Sequence, residues 1–147
     1  MFKVKTIDHV AIAVADLAPT AAALGSLFGL SAGARENVTD QKTEVVFLQP
    51  DQASGQNGSE AGSGTASLEL ICPNGNASLE RVLSKRGPGL HHICFEVEDL
   101  PGALADLKSQ GVPLIDESPR PGARGHLVAF LHPRATGGVL FELCQKL

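Results

Sequence analysis

Ile7-Asp-His-Val-Ala-Ile-Ala-Val-Ala-Asp-Leu17 reappears 83 residues later as Leu90-His-His-Ile-Cys-Phe-Glu-Val-Glu-Asp-Leu100, with His9 falling on His92 and Val14, Asp16 and Leu17 on Val97, Asp99 and Leu100. The same offset lays Val45-Val-Phe-Leu-Gln-Pro50 on Val128-Ala-Phe-Leu-His-Pro133. Two separated segments sharing one offset indicate an internal repeat. Farther along, Ser67-Leu-Glu-Leu70 matches Leu140-Phe-Glu-Leu143 at an offset of 73, so the first half carries ten extra residues. The Gly-, Ser- and Gln-rich stretch from Asp51 to Ala66 accounts for them, and its composition predicts a solvated loop.

Both halves read as strand, helix, strand, strand, strand. The first strands are Ile7 to Val14 and His91 to Val97. Each ends at an Asp-Leu step, where Asp16 and Asp99 are placed to cap the helical stretches Ala18 to Phe28 and Gly102 to Gln110. Gly29 and Gly111 suit the left-handed position that ends a helix. In the second half, Pro113 to Asp116, His126 to Leu131 and Val139 to Cys144 read as extended. Ser78 to Lys85 reads as a short connecting helix ended by Gly87-Pro-Gly89. The expected fold is α+β: a single domain, 1–147, made of two tandem βαβββ modules (about 7–73 and 90–145, joined by a linker helix at about 77–88). They form a cupped, mostly antiparallel sheet with the helices outside.

Composition agrees with one packed domain. The 147 residues are 43% apolar and 19% charged, and 12 basic against 16 acidic residues leave a net charge of −4. That balance provides no electrostatic footprint for nucleic acid. No apolar run approaches the roughly 20 residues that span a bilayer, and the start at Met1 runs directly into a strand; the expectation is a cytoplasmic protein with no membrane partner. Cys72, Cys94 and Cys144 are odd in number, far apart and set in apolar runs, so they are expected to be buried packing residues rather than a disulfide framework.

Strand alternation converts the repeat into a candidate site. Val10, Ile12 and Val14 share the face that would meet a helix, and His9 shares the other with Ala11 and Ala13. His92, Cys94 and Glu96 likewise oppose Ile93, Phe95 and Val97; Glu69 opposes Leu68 and Leu70, and Glu142 opposes Phe141 and Leu143. A pseudo-twofold relating the modules would gather His9, His92, Glu69 and Glu142 around its axis. Carboxylates among aliphatic neighbours are costly to bury without a cation or hydrogen-bond partner. Two imidazoles and two carboxylates suit a divalent ion with positions left open for substrate: Co, Mn, Ni, Zn or Fe.

Three patterns carry a resemblance beyond this: Asp8-His-Val-Ala-Ile-Ala-Val14, Gly89-Leu-His-His-Ile-Cys-Phe-Glu-Val97 and Phe130-Leu-His-Pro-Arg-Ala-Thr-Gly-Gly-Val-Leu-Phe-Glu-Leu143. The chain resembles the vicinal oxygen chelate (glyoxalase) superfamily and, within it, the methylmalonyl-CoA epimerases. The resemblance implies His9, Glu69, His92 and Glu142 as metal ligands, the same set that the repeat picks out. It also implies an acid in the Asp40-Gln41-Lys42 segment, where Asp40 stands in place of the usual Glu, one methylene longer; Glu44 is a nearby substitute. The implied reaction interconverts (R)- and (S)-methylmalonyl-CoA through an enolate, with Glu142 and Asp40 as the acid–base pair on its two faces and a burial-raised carboxylate pKa to make the base effective. It further implies an acyl-CoA partner and a homodimer. Arg81, Lys85 and Arg86 are candidates to meet a CoA phosphate. The rival readings are a lactoylglutathione lyase of the glyoxalase I type and a non-catalytic small-molecule-binding member. An extradiol dioxygenase fits less well, because that chemistry uses two His and one carboxylate.

Overall fold

Among the described residues, aspartates start two of the three α-helices as their placement predicts: Asp16 accepts from the Ala18 N–H and Asp99 from the Gly102 N–H, while Asn76 accepts from the Leu79 N–H. The computed structural model describes residues 1–50 and 65–147, so nearly all of the expected 51–66 loop lies outside the described residues. In chain order the elements are Val4–Ala13 (β1), Leu17–Phe28 (α1), Leu30–Ala32 (β2), Glu36–Val38 (β3), Thr43–Pro50 (β4), Ser67–Pro73 (β5), Ala77–Arg86 (α2), Gly89–Val97 (β6), Leu100–Ser109 (α3), Arg120–Pro121 (β7), Leu127–Phe130 (β8) and Phe141–Gln145 (β9).

The strands form one mixed sheet ordered β2-β4-β5-β1-β6-β9-β8-β7, with β3 also pairing to β4. Its centre is the antiparallel pair β1–β6, where the modules meet, and parallel pairs β1–β5 and β6–β9 flank it. β2 and β3 lie along successive stretches of β4, making one interrupted strand and preserving the βαβββ order. The second module differs from expectation at Pro113 to Asp116. Only Leu114 forms a bridge, to Leu131, and the paired strand there is Arg120–Pro121. The cause is local: the Ile115 and Asp116 N–H groups both donate to the Phe130 carbonyl, and the Asp116 carboxylate accepts from the Phe130 N–H at 2.8 Å. These bonds replace a ladder.

Helices α1 and α3 cover one face of the sheet, as the alternation predicts, whereas Leu79 and Leu83 of α2 pack against the other. Val14, Leu17, Val46, Leu48 and Leu70 pack under α1, with Ile12 beside them, and Val97, Leu100, Leu104 and Leu143 pack under α3. Fully buried leucines such as Leu17, Leu70 and Leu100 each contribute about 1.5–3 kcal/mol of transfer free energy. Ala11, Ala13, Val45 and Ile71 line the opposite, concave face. All three cysteines are free and buried.

Candidate metal centre

Identical register in the two halves builds the site. Ala11 on β1 pairs with Glu69 on β5, and Cys94 on β6 pairs with Glu142 on β9. Ala11 and Cys94 are repeat-equivalent, as are the two glutamates. Across the central pair, His9 faces Cys94 and Ala11 faces His92, which brings both imidazoles to the same patch of concave floor. The four residues are all at least 95% buried.

Their polar atoms converge. His9 Nε2 lies 3.1 Å from His92 Nε2, 3.4 Å from Glu142 Oε1 and 3.8 Å from Glu69 Oε2. His92 Nε2 lies 3.7 Å from Glu142 Oε1 and 3.8 Å from Glu69 Oε1. Two donors about 2.1 Å from one ion and 90–110° apart are about 3.0–3.4 Å from each other, so only small adjustments bring these four side chains to a common cation. Outer partners orient the rings: His9 Nδ1 donates to Asp8 Oδ2 at 2.7 Å, and His92 Nδ1 meets His91 Nδ1 at 2.9 Å. Both contacts use the outward nitrogen and leave Nε2 directed inward, as metal-ligating imidazoles require. The donor set therefore fits a divalent cation.

Electrostatics separate the four groups. Burial opposes a charge on His9, but hydrogen bonds to Asp8 and Glu142 and the Glu69 charge overcome it and raise the imidazole to about 10. Burial drives His92 down to about 3. Burial lifts Glu69 to about 7, whereas for Glu142 the nearby imidazoles outweigh burial and hold it below the usual carboxylate range. The rise expected for a buried base thus falls on Glu69 and not on Glu142, because His92 and His9 both favour ionised Glu142, whereas His9 is the one imidazole that offsets burial at Glu69. Asp8 is also depressed: burial is outweighed by its bonds to His9 and Arg124.

Asp40 is not part of this ring. It occupies the turn Thr39–Gln41, is nearly half exposed, and pairs with Arg120 at 3.6 Å; its neighbours Val38 and Gln41 line the site cavity. Glu44 faces outward against Arg35 at 3.4 Å. Arg81, Lys85 and Arg86 border a different cavity, of about 720 Å³, together with Leu90, His91 and Val139. Two residues that sequence reading passes over complete the centre. Asp8 is one: the β1–β6 register slips between Ile7 and His9, and this bulge turns Asp8 inward beside the histidine. Its only sequence signal is the Asp-His step. Arg124 is the other. It lies in the turn Ala123–Gly125, its guanidinium contacts Asp8 and stacks 4.0 Å over the Phe47 ring, and Phe47 packs edge-on to His9. The Gly-Ala-Arg-Gly run is its only mark in the sequence.

Comparison with known proteins follows the same lines. The sequence model of the Glyoxalase/Bleomycin resistance protein/Dioxygenase superfamily matches residues 8–130. An uncharacterized protein of Bacillus subtilis (strain 168), YqjC, is 38% identical over 140 residues, covering 95% of this chain and 91% of that one. The mitochondrial methylmalonyl-CoA epimerase of Homo sapiens is 35% identical over 141 residues, covering 95% and 73%. A solved structure of methylmalonyl-CoA epimerase in complex with methylmalonyl-CoA and NH4+ superposes with a TM-score of 0.85 at 30% identity, covering 98% of this chain and 96% of that one.

Proposed function

The chain belongs to the Glyoxalase/Bleomycin resistance protein/Dioxygenase superfamily, and from that premise we propose that it is a methylmalonyl-CoA epimerase, an isomerase that interconverts the (R) and (S) thioesters. The observation that carries the reading is the convergence of His9, Glu69, His92 and Glu142 inside a fold shared over nearly its whole length with epimerases.

His9, Glu69, His92 and Glu142 would hold a divalent cation, with Co, Mn, Ni and Zn the candidates; when bound, it supplies Lewis-acid stabilisation of the negative charge that develops on the thioester oxygen. The residues do the rest. Inversion needs a proton acceptor on one face of the α-carbon and a donor on the other. Glu142, ionised and wholly buried, takes the α-proton on its face. Asp40 serves the opposite face from the rim, with Arg120 steering its carboxylate. Asp8 and His91 hold the two imidazoles in one tautomer so that Nε2 stays directed at the centre. Phe47, Val45 and Val38 exclude water from the walls and keep charge interactions strong.

The proposal extends to a cytoplasmic homodimer. Exposed Leu90 and Val139 at the 720 Å³ apolar cavity support self-association, which sedimentation equilibrium tests. For the activity, proton NMR of methylmalonyl-CoA in deuterated water is the test, with protein loaded separately with each metal. Exchange at the α-position with interconversion of the two forms is expected. Tight binding without any exchange would favour the non-catalytic reading, and turnover of a glutathione hemithioacetal instead would favour the lyase.

A further inference from the structure

Resting on the epimerase reading, we propose that Arg124 determines specificity for the substrate's free carboxylate, pairing its guanidinium with that group at the mouth of the cup. Charge balance is the first argument. A divalent ion is already cancelled by Glu69 and Glu142, so the carboxylate of a malonyl-type thioester brings an extra negative charge into a desolvated site. Among the described residues, Arg124 is the only arginine or lysine lining the site cavity. Its planar, weakly hydrated fork suits a carboxylate better than an ammonium would.

Backbone geometry is the second. Arg124 has φ +58°, a conformation unfavourable for a side chain of this kind, and its amide N–H is fixed by both oxygens of Glu36 at 3.1 and 2.9 Å. Together they hold a strained residue so that its side chain crosses from the β7–β8 turn to Phe47 and Asp8 on the far wall. The third argument is space. The cavity beneath has a free volume of about 10 Å³, room for a water at most and far too little for a branched diacid head. Its floor is hydrogen-bonded sheet, whereas the Arg124 side chain belongs to a surface turn and is about a third exposed, so room for the head group is made by moving this side chain. On swinging, it exchanges Asp8 for the substrate carboxylate. Asp8 retains His9 and the Lys146 ammonium, 3.6 Å away.

The test is calorimetric binding to the metal-loaded chain of two probes: methylmalonyl-CoA and the primary amide analogue in which –CONH2 replaces –COO⁻. The amide-to-acid ratio of dissociation constants is compared in wild type, Arg124→Gly, Arg124→Asn and Arg124→Lys. Glycine and asparagine both accept positive φ, so these variants relieve backbone strain that offsets part of the lost Asp8 pairing, and far-UV circular dichroism checks that they fold. The ratio is expected to fall at least about tenfold in Arg124→Gly and Arg124→Asn, the scale of one charge-assisted pair, and to stay within about threefold in Arg124→Lys. An unchanged ratio in folded Arg124→Gly that still binds the acid overturns the role of Arg124 alone. Failure of the wild type to bind either thioester overturns the acyl-CoA reading and this inference with it.

Discussion

Loading the centre with a divalent ion should expel protons, and the number follows from the four ligands. Metal ligation requires neutral imidazoles and ionised carboxylates. Before a cation arrives, His9 titrates at about 10 and Glu69 at about 7, while His92 is neutral and Glu142 ionised at physiological pH. At pH 7 His9 therefore holds about one proton and Glu69 about half of one, so uptake should release about 1.5 protons per ion. At pH 6 the figure rises to about two, because Glu69 is then almost fully protonated. At pH 9 it falls to about one, and it vanishes as pH passes through the His9 value. The sign follows: competition from protons weakens, so apparent affinity climbs with pH through this range. Titration with cobalt in paired buffers of different ionisation enthalpy measures the release directly. His9→Gln removes the His9 proton but also the imidazole charge that holds Glu69 down, so release at pH 7 should fall to at most about one proton, all of it from Glu69. Release below half a proton by wild type at pH 7, or release that grows between pH 6 and 9, would refute the charge assignment.

Other perturbations have separate readouts. Asp8→Ala removes the acceptor that orients His9, and equilibrium dialysis should find metal affinity reduced about 10–100-fold. Asp40→Asn should slow epimerisation by at least about a hundredfold, the usual contribution of a general acid–base group, while α-deuterium exchange from one stereoisomer persists through Glu142; epimerisation at more than a tenth of the wild-type rate removes Asp40 from the mechanism. Leu100→Ala empties a fully buried position under α3 and should cost about 2–5 kcal/mol in urea unfolding. Gly122→Ala puts a Cβ about 2.6 Å from a Val128 methyl and should destabilise by about 1–3 kcal/mol in the same measurement.

The arrangement of the halves was legible because duplication makes a weak signal additive: a single strand histidine says little, but His9 with His92 and Glu69 with Glu142 fall on one face by alternation alone. Boundaries held where a cap or a glycine punctuates the chain, as at Asp16 and Gly29. What escaped reading breaks the period of two or spans the two halves. Asp8 turns inward only because of the bulge at Ile7–His9, which depends on the pairing with β6. Arg124 belongs to a turn whose anchor, Glu36, lies 88 positions away on β3, a contact that no local pattern encodes. Pro113 to Asp116 has the composition of a strand, but an aspartate in the middle of its hydrogen bonding captures the amide that a ladder would use. The divergent titration of Glu69 and Glu142 depends on how the two imidazoles are shared between them, His92 and His9 both favouring ionised Glu142 while only His9 offsets burial at Glu69.

The ring draws one imidazole and one glutamate from each module, and the modules meet at the β1–β6 seam. Neither half alone has enough donors to retain a cation firmly. Cut between α2 and β6, the protein would become two bidentate fragments whose reassembly the ion itself would reward, acting as a clasp across the junction. Metal occupancy in such a split pair would then report docking of the halves, making the centre an internal gauge of whether the duplicated cup has closed.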